Sequence, residues 1–482
     1  MKRFNVFKRI GILFSLLFLV SCNTNNNSNN NNNNNDDTVK TINFYSLNDF
    51  HGAIEYQTGK QAGISRIGNY LMTEKANNPN TTFILSSGDM WQGSVDSNLN
   101  HGALMTDMMN KIGFDSMAIG NHEFDWGEEY IRTNQKNMNF PLLGCNIFYK
   151  GTQNYPDYLK PYTTITKGDV KIGIIGSVQV GIGSSILRSI SNKFDYLLPN
   201  DYIKKYSDIL FTVEKCDAVI LSTHDGNYGG YKDLTTVSTV SKRNYVDGIF
   251  LGHDHQVYND SLNGVPYSEG GSSGKMIANI TLKIKNHNVI ESSNEVIDCI
   301  NNCTQENNEL NAIYDVYKPG IEVIKNKVVG NAPNYISKSD VGLIAAKSIY
   351  HYINKHTEEF DYKVNFACTN AGGVRTYINA GEVTYGEIYQ CLPFDNNIVM
   401  AYVDSYGLGL YKSQYESTSY DDGGSGLGSD GKYHVGTINY VYEKMDGDGV
   451  NLSSVYSPSI LRDIVVEAIN DNIISAITPI VS

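Results

Sequence analysis

Short runs of apolar, often β-branched residues recur along the first part of the chain, and amphipathic stretches lie between some of them. The runs are typical of buried strands, and they span 39–47, 82–86, 116–119, 170–177, 218–222 and 248–251. Ile64, Ile67 and Leu71 recur at helical spacing and predict one buried helix face. The same spacing predicts a second helix from Leu104, Met105, Met108, Met109 and Ile112. This alternation predicts an α/β fold whose sheet is covered on both faces.

The amino-acid composition changes between Cys299 and Ala332, where the chain is polar and rich in Asn and Lys. Pro319 interrupts a helical pattern inside this stretch. We therefore predict a boundary here, which divides the chain into a first domain at 39–300, a linker or helix at 301–333 and a second domain at 334–482. The second domain has its own helical patterns at 341–354 and 459–470.

The composition excludes one class of partner. With 482 residues, of which 41% are hydrophobic, the chain can bury more than one core. Its formal net charge of −13 argues against non-specific nucleic-acid binding, which needs a basic surface to displace counterions, so no nucleic-acid partner is expected. An anionic substrate would need a local source of positive charge, and bound metal ions are the obvious one.

The N-terminus has the pattern of an export signal rather than of a folded segment. Four basic residues within 1–9 precede the apolar run 10–20, which is too short for an ordinary membrane span of ~20 residues. The run ends in Leu-Val-Ser-Cys, which resembles the bacterial lipobox, so we predict a signal peptide at 1–22 and lipidation of Cys22. A plain secretory peptide or an uncleaved anchor is the alternative. Residues 23–38 are mostly asparagine and predict a disordered tether that leaves the protein anchored to the cell membrane on its outer side.

The seven cysteines are too sparse for a disulfide scaffold. Cys299 and Cys303 are close enough in sequence for a local disulfide in an exported protein, and they lack the second nearby pair that a zinc site of this kind would need. The sequence leaves that disulfide, and the oligomeric state, open.

Residues that can bind metal follow five of the predicted strands. They are Asp49 and His51 in LNDFHG, Asp89 in SSGDMWQG, Asn121 and His122 in GNHE, His224 in STHDG, and His253 and His255 in GHDH. Sites in open α/β sheets collect outside the carboxyl ends of the strands, so these loops can converge. Two of the pairs are spaced i, i+2, and in extended chain such side chains point the same way. A mixed set of oxygen and imidazole ligands suits zinc, manganese or iron.

In their order along the chain, the motifs DxH, GD, GNHE, H and GHxH resemble the calcineurin-like dinuclear metallophosphatases. The NDFHG and GNHEFDWG stretches, together with the second domain, are similar to the bacterial 5′-nucleotidase and UDP-sugar hydrolase family. The resemblance covers most of the chain after the tether. It implies a two-sheet sandwich flanked by helices, followed by an α+β substrate-binding domain.

The same resemblance implies two divalent metal ions and a role for each motif residue. The ligands of one metal would be Asp49, His51, Asp89 and His255, and those of the other would be Asp89, Asn121, His224 and His253, with Asp89 bridging. His122 and Asp125 match the family's catalytic pair. For Glu123 the better interpretation is a hydrogen-bonding role toward the loop backbone.

In the second domain, TNAGGVR resembles the family's substrate-binding signature and implies contacts from Asn370 and Arg375. Phe394 falls where the family stacks an aromatic ring on the base, and INYVYEKMDGDG implies Tyr440 and Asp448. The spacing between those two is a residue longer than usual, which leaves Tyr442 as a rival. Core packing is the alternative role for Phe394 and Tyr440.

This domain departs from the family in two further places. Gly342 and Ala346 stand where the family has Asn and Asp, and an upstream family arginine has no counterpart.

The resulting hypothesis is an extracytoplasmic, metal-dependent phosphoesterase that hydrolyses nucleoside 5′-phosphates to nucleoside and phosphate. Two alternatives remain at this point. One is a 2′,3′-cyclic-nucleotide phosphodiesterase or UDP-sugar hydrolase on the same site, and the other is a surface lipoprotein that binds nucleotides or host surfaces without turnover.

Overall fold

The computed structural model describes residues 38–226, 228–424 and 426–479, and all of these belong to one compact unit. The predicted signal peptide, Cys22 and nearly all of the tether lie outside the described residues. Within those three ranges, no helix has both the length and the apolar character needed to cross a membrane.

Two six-stranded sheets dominate the first part of the chain. The first has the strand order Asn288–Asp298, Met276–Lys285, Lys40–Leu47, Thr82–Ser86, Ser116–Ala118 and Leu142–Leu143. The second has the order Val257–Leu262, Val265–Gly270, Gly248–Phe250, Ala218–His224, Val170–Val178 and Tyr162–Lys167. A two-stranded ribbon is formed by Ile147–Tyr149 and Phe194–Tyr196. The strands that lead toward the candidate ligands pair in parallel within each sheet, so their carboxyl ends lie at one edge.

The two sheets pack face to face over a shared apolar core. Phe44 and Phe83 of the first sheet stack with ring centroids 5.1 Å apart, and they share a buried cluster with Ile174, Ile220 and Phe250 of the second. Both faces of these strands are therefore buried, which explains their continuous apolar runs. The predicted two-sheet sandwich is confirmed.

Helices cover the outer faces of the sandwich. They span Ile64–Asn77, Val95–Asn98, Ala103–Ile112, Glu128–Asn137, Arg188–Ser191, Pro199–Thr212, Cys299–Asn302 and Asn308–Lys325, with 3₁₀ turns at His122–Phe124, Ile182–Ser185 and Tyr228–Thr235. The residues predicted to form the buried faces at 64–71 and 104–112 are indeed buried. Because their apolar positions follow the helical period, these helices could be located from sequence alone.

Helix Asn308–Lys325 continues through Pro319, so the interpretation of this proline as an interruption is wrong. Proline removes the hydrogen bond that its own N–H would donate to the carbonyl of Asp315, and its ring crowds that carbonyl, but the helix does not end there. Both residues are exposed, and water can bind that carbonyl instead. The helix packs Leu310 and Ile321 into the core of the first part of the chain.

A separate core forms from Val329 to Ile477. It is built on a five-stranded sheet in the order Ser419–Asp421, Phe366–Cys368, Tyr433–Ile438, Asn397–Val403 and Ser453–Ile460, and on a three-stranded sheet in the order Gly381–Thr384, Val328–Ala332 and Thr478–Pro479. Its helices span Lys338–Lys355, Tyr385–Cys391, Ser405–Gln414, Asn439–Gly447 and Leu461–Asn470, with 3₁₀ turns at Ala371–Gly373 and Glu416–Thr418. Mixed strand directions with segregated helices make this region α+β, as the resemblance implied.

Two positions that depart from the family lie inside this second core. Gly342 and Ala346 are both buried in helix Lys338–Lys355. A side chain at 342 would meet Thr418 Cγ2 at 2.8 Å, so position 342 serves packing. Cys299 and Cys303, nearer the first core, are both buried free thiols.

Candidate active site

The predicted ligand loops converge at the carboxyl ends of the parallel strands. The side chains form three overlapping groups whose potential ligand atoms lie within 4.8 Å of one another: Asp49, His51 and His255; His51, Asp89 and His122; and Asp89, His224 and His253. Asn121 joins the last group, because its Oδ1 lies 2.9 Å from His253 Nδ1 and 3.1 Å from His224 Nε2. We call these residues, other than His122, the donor cluster.

The backbone is held in an unusual conformation at five of these residues. The φ angles are positive at Asp49 (46°), His51 (53°), Asp89 (55°), His253 (85°) and His255 (60°). Left-handed backbone costs a non-glycine residue roughly 1–2 kcal/mol and tends to persist where function requires it. Close backbone approach adds to the constraint, since a Cβ at Gly88 would lie 2.8 Å from the amide nitrogen of Gly120.

Two backbone carbonyls fix which ring nitrogens of the histidines carry protons. His51 Nδ1 donates to the carbonyl of Gln92 at 2.9 Å, and His224 Nδ1 donates to the carbonyl of Ser87 at 2.8 Å. When either ring is neutral, its Nε2 atom therefore presents a lone pair to the donor cluster. Such second contacts are the usual way in which proteins orient metal-binding imidazoles.

These lone pairs face other acceptors. His51 Nε2 lies 3.1 Å from His255 Nε2, and His224 Nε2 lies 3.2 Å from an Asp89 carboxylate oxygen. Asp49 Oδ1 is buried and lies 3.3 Å from His255 Nε2. Acceptors that converge in this way need a cation between them, and the mixed nitrogen and oxygen set fits a divalent transition metal.

The pKa values of the donor side chains also indicate that a cation belongs between them. Burial alone would lower the pKa of His224, but the carboxylates of Asp89 and Asp49 raise it to about 10. Burial opposes ionisation of Asp89, yet the imidazoles of His224 and His122 hold its pKa well below the ordinary value. Burial and Arg375 lower the pKa of His51 to about 3. Without a metal, His51 is therefore neutral, whereas His224 is protonated and pairs with Asp89. A divalent ion would displace that proton, because an imidazole must be neutral to bind metal.

His122 lies at the edge of the donor cluster and is oriented by Asp125. Its Nδ1 lies 2.8 Å from Asp125 Oδ2, and its Nε2 lies 3.3 Å from Arg375 Nη2. Burial works against a proton on this ring, but the carboxylates of Asp125 and Asp89 raise the pKa of His122 above its ordinary value. An imidazole held in this way can donate a proton to an oxygen placed beside Nε2.

Glu123 links the loop that contains Asp89 to the loop that contains Gly120. Its buried carboxylate accepts hydrogen bonds from the backbone amides of Asp89 and Met90 at 2.9 Å and of Gly120 at 2.8 Å. The interpretation that Glu123 bonds the loop backbone is confirmed by these contacts.

A cavity of about 400 Å³ opens onto the donor cluster. It is lined on one side by Asp89, Asn121, His122, Asp125, His253 and His255, and on the other by Asn370, Arg375, Phe394 and Tyr440. The Phe394 ring stacks on the His122 ring with centroids 5.5 Å apart, and the Arg375 guanidinium lies 5.4 Å from the Phe394 ring. Residues from both parts of the chain therefore share one cavity.

Of the remaining substrate-binding candidates in the second part of the chain, some line the cavity and others do not. Asn370 lines the cavity with an Oδ1 that has no hydrogen-bond partner among the described residues. Tyr440 lines it as well, and its hydroxyl donates to the carbonyl of Ser184 at 3.1 Å. Its rival Tyr442 instead packs edge-on against Tyr456, at 5.5 Å between ring centroids.

Asp448 is exposed and does not line the cavity. Helix Asn439–Gly447 separates it from Tyr440 by about 12 Å along the helix axis. The structure therefore does not bring Asp448 to the other substrate-binding candidates.

Sequence reasoning missed several residues that line the cavity, Gln92 and Asn396 among them. Gln92 follows Asp89 in the same loop, and its Nε2 donates to the carbonyl of Pro393 at 3.3 Å. Asn98 donates to the same carbonyl at 3.0 Å. Because Gln92 lies three residues after the candidate ligand Asp89, the sequence could have indicated that it lies near the site. Its contact with Pro393 could not be predicted, because that contact depends on the tertiary fold.

Comparison with known proteins indicates the class of enzyme to which this site is similar. Residues 42–257 match the family model described as calcineurin-like phosphoesterase. The fold and the converging donors thus define a metal-dependent phosphoester hydrolase, and enzymes of this class use two divalent metal ions. Residues 294–404 match the family model described as 5′-nucleotidase, C-terminal domain. The chain therefore contains, in this order, a region similar to calcineurin-like phosphoesterases and a region similar to 5′-nucleotidase C-terminal domains.

Individual relatives are similar over most of this chain. The chain is similar to Endonuclease YhcR of Bacillus subtilis, with 25% identity over 386 residues that make up 73% of this chain and 31% of that protein. It is similar to the 5′-nucleotidase of Vibrio cholerae, with 26% identity over 406 residues, or 75% of this chain and 72% of that protein. The 5′-nucleotidase precursor of Thermus thermophilus shares the fold, with a TM-score of 0.73, 17% identity and coverage of 90% of this chain and 97% of that one.

Proposed function

We propose that the chain is an extracytoplasmic 5′-nucleotidase that hydrolyses nucleoside 5′-phosphates to nucleoside and phosphate. The observation that carries the proposal is the shared cavity, in which Phe394 and Tyr440 lie beside His122 and the donor cluster. An aromatic side chain can stack on any base, and a phosphoryl group attached to that nucleoside would then reach His122. The N-terminal signal pattern supports the location outside the cytoplasm, with lipidation at Cys22 as its finer form.

We assign the donor cluster to two divalent metal ions in two overlapping sets. One set is Asp49, His51, Asp89 and His255, and the other is Asp89, Asn121, His224 and His253, with Asp89 shared. When bound, the ions would lower the pKa of water and neutralise charge on the phosphoryl group. The buried Asp49 oxygen beside His255 Nε2, and the Nε2 atoms of His51 and His224 that face other donor atoms, support this assignment.

His122 and Asp125 are the proposed catalytic pair. Asp125 holds His122 through Nδ1 and leaves Nε2 turned toward the cavity. In this position His122 would protonate the oxygen of the departing nucleoside, or stabilise negative charge that develops on the phosphoryl group. Arg375, 3.3 Å from the same nitrogen, adds a second positive group at the point where phosphoryl oxygens would lie.

Asn370, Arg375, Phe394 and Tyr440 are the proposed substrate-binding residues. Asn370 lines the cavity, and its amide could bond a hydroxyl or amino group of the nucleoside after a rotation of the side chain. Asp448 would reach a nucleoside only if helix Asn439–Gly447 moved, so we leave it out of the proposed pocket.

A substrate panel tests the proposal. Initial rates would be measured with AMP, 2′,3′-cyclic AMP, UDP-glucose and p-nitrophenyl phosphate, each with a chelator and after addition of Mn²⁺ or Zn²⁺. We expect the highest kcat/KM for AMP, loss of turnover with the chelator and its return with metal. A higher kcat/KM for the cyclic nucleotide or for UDP-glucose would replace the proposed substrate, and binding of AMP without turnover under all conditions would contradict catalysis.

A further inference from the structure

A second cavity, of about 460 Å³, reaches the donor cluster from another side. It is lined by His51 and His255, whereas the first cavity is lined by Asn121, His253 and His255. Arg375 and His255 line both cavities, so their side chains form part of the wall between them. We call this space the lysine cavity, after Lys60, Lys275 and Lys338 in its lining.

The three lysines give the lysine cavity an excess of positive charge. They are exposed, and within the described part of the chain none of them forms a salt bridge. Lys60 is held at the cavity by the ring of Tyr377, with Nζ 4.5 Å from the ring centroid. Unpaired cations gathered at one cavity stand out in a chain whose formal net charge is −13.

The carboxylates in the same lining do not cancel this charge. Glu55 and Asp96 both bind Lys325, which lies 3.1 Å from Asp96 Oδ2. The Tyr314 hydroxyl also lies 2.9 Å from a Glu55 oxygen and 2.6 Å from an Asp96 oxygen, and it donates its one proton between them. Lys325 therefore offsets one of these two negative charges. The remaining one is outweighed by Lys60, Lys275 and Lys338, which keep the cavity positive.

The hydroxyl groups suit the same kind of ligand. Ser272 and Ser273 line the cavity, and the backbone amide of Ser273 donates to the carbonyl of Asp49 at 2.8 Å, which ties this loop to the donor cluster. Ammonium groups and hydroxyls together bind tetrahedral phosphoryl oxygens, with lysine acting as a point charge.

We propose that the lysine cavity binds a phosphoryl anion next to the donor cluster, an inference that rests on the proposed phosphoester hydrolysis. The anion has two possible sources, the phosphate released by the reaction or the distal phosphate of a nucleoside polyphosphate. Because the nucleoside residues line the other cavity, phosphate could occupy or leave through the lysine cavity while the nucleoside is still bound.

The test compares the double variant Lys60→Gln/Lys275→Gln with the wild-type holoenzyme. Its matched control is Lys242→Gln/Lys363→Gln, which changes the net charge by the same amount at two exposed lysines outside both cavities. One arm measures the inhibition constant of inorganic phosphate with p-nitrophenyl phosphate as substrate. The other arm measures the ratio of kcat/KM for ADP to that for AMP.

We expect the cavity variant to raise the phosphate inhibition constant by about threefold to thirtyfold, as the loss of two exposed charge contacts implies. A change in this constant identifies free phosphate as the ligand, and a fall in the ADP to AMP ratio alone identifies the distal phosphate. If neither quantity changes, or if the control variant changes both equally, the lysine cavity is not a phosphoryl site. The phosphate arm uses an aryl ester, so it remains decisive even if nucleotides are not substrates.

Discussion

The two sides of the shared cavity are built in different ways. On the side of the donor cluster, Asp89, Asn121 and His224 are at most 3% exposed, and the side chains of His224 and Asp89 each bond the backbone of another loop. On the opposite side, Phe394 and Tyr440 are only half-buried. Tyr440 is held by one side-chain hydrogen bond, to the carbonyl of Ser184.

This difference indicates a division of labour. A reacting centre needs fixed geometry, whereas a surface that accepts different bases needs contact area more than precise direction. If the donor cluster performs the chemistry and the aromatic side selects the nucleoside, substitutions on the two sides should have different kinetic signatures.

The largest expected effect comes from Asp89→Ala, which removes the carboxylate proposed to be shared by both metals. We expect kcat/KM to fall by at least about 10³-fold for AMP and for p-nitrophenyl phosphate alike. This loss exceeds the 10–100-fold that is typical when a residue that hydrogen-bonds to a metal ligand is replaced. Initial rates at saturating metal, with metal content by elemental analysis, check this. Retained activity with full metal content in a folded Asp89→Ala protein would end the assignment of Asp89 as the bridge.

The next effect concerns His122→Ala. The variant should keep its metals and lose about 10²–10⁴-fold in kcat, the usual contribution of a general acid. His101→Ala is the matched control, because His101 stacks on Tyr130 at 3.9 Å and does not line the cavity. Wild-type turnover in His122→Ala would remove this residue from the mechanism.

Phe394→Ala tests the other side of the cavity. Loss of a stacking surface worth ~1–3 kcal/mol should lower kcat/KM for AMP by roughly 5–150-fold, chiefly through KM. Activity on p-nitrophenyl phosphate should change little.

The contact between Phe394 and His122 sharpens this experiment. Because the two rings stack in the structure, Phe394→Leu is measured beside the alanine variant as a substitution that retains bulk against His122. An equal loss on both substrates in Phe394→Ala that Phe394→Leu restores would show that Phe394 positions His122 rather than the base.

The smallest effect is expected from Tyr440→Phe, which removes only the hydroxyl that donates to Ser184. Since this hydrogen bond is exposed, we expect about a twofold increase in KM for AMP, at the low end of the range for neutral hydrogen bonds. Tyr442→Phe is the control and should match the wild type. A larger effect in Tyr442→Phe would reverse the assignment of the two tyrosines.

The donor cluster could be predicted from sequence because its signals are local. Each candidate ligand follows a run whose apolar pattern identifies a strand, and parallel strands bring their carboxyl ends to one edge. Asp49 and His253 lie far apart in the chain, yet each could be located at its own strand end.

The aromatic side could be predicted only in part, because its geometry depends on how two cores meet. The contact of Arg375 with His122 joins residues 253 positions apart, and no periodicity encodes it. The distance of Asp448 from the cavity follows from a helix that ends just before it. The continuation of a helix through Pro319 likewise depends on solvent exposure, which a local pattern does not reveal.

The left-handed backbone at Asp49, His51, Asp89, His253 and His255 sets stability against activity at the same positions. Glycine would relax each of these positions, since it adopts positive φ without steric cost, but it would also delete a donor. Selection for a more stable protein alone would therefore favour replacing the residues on which catalysis depends, and selection for activity must oppose it at each one. Stabilising substitutions for this enzyme should accordingly be sought away from the ends of these strands.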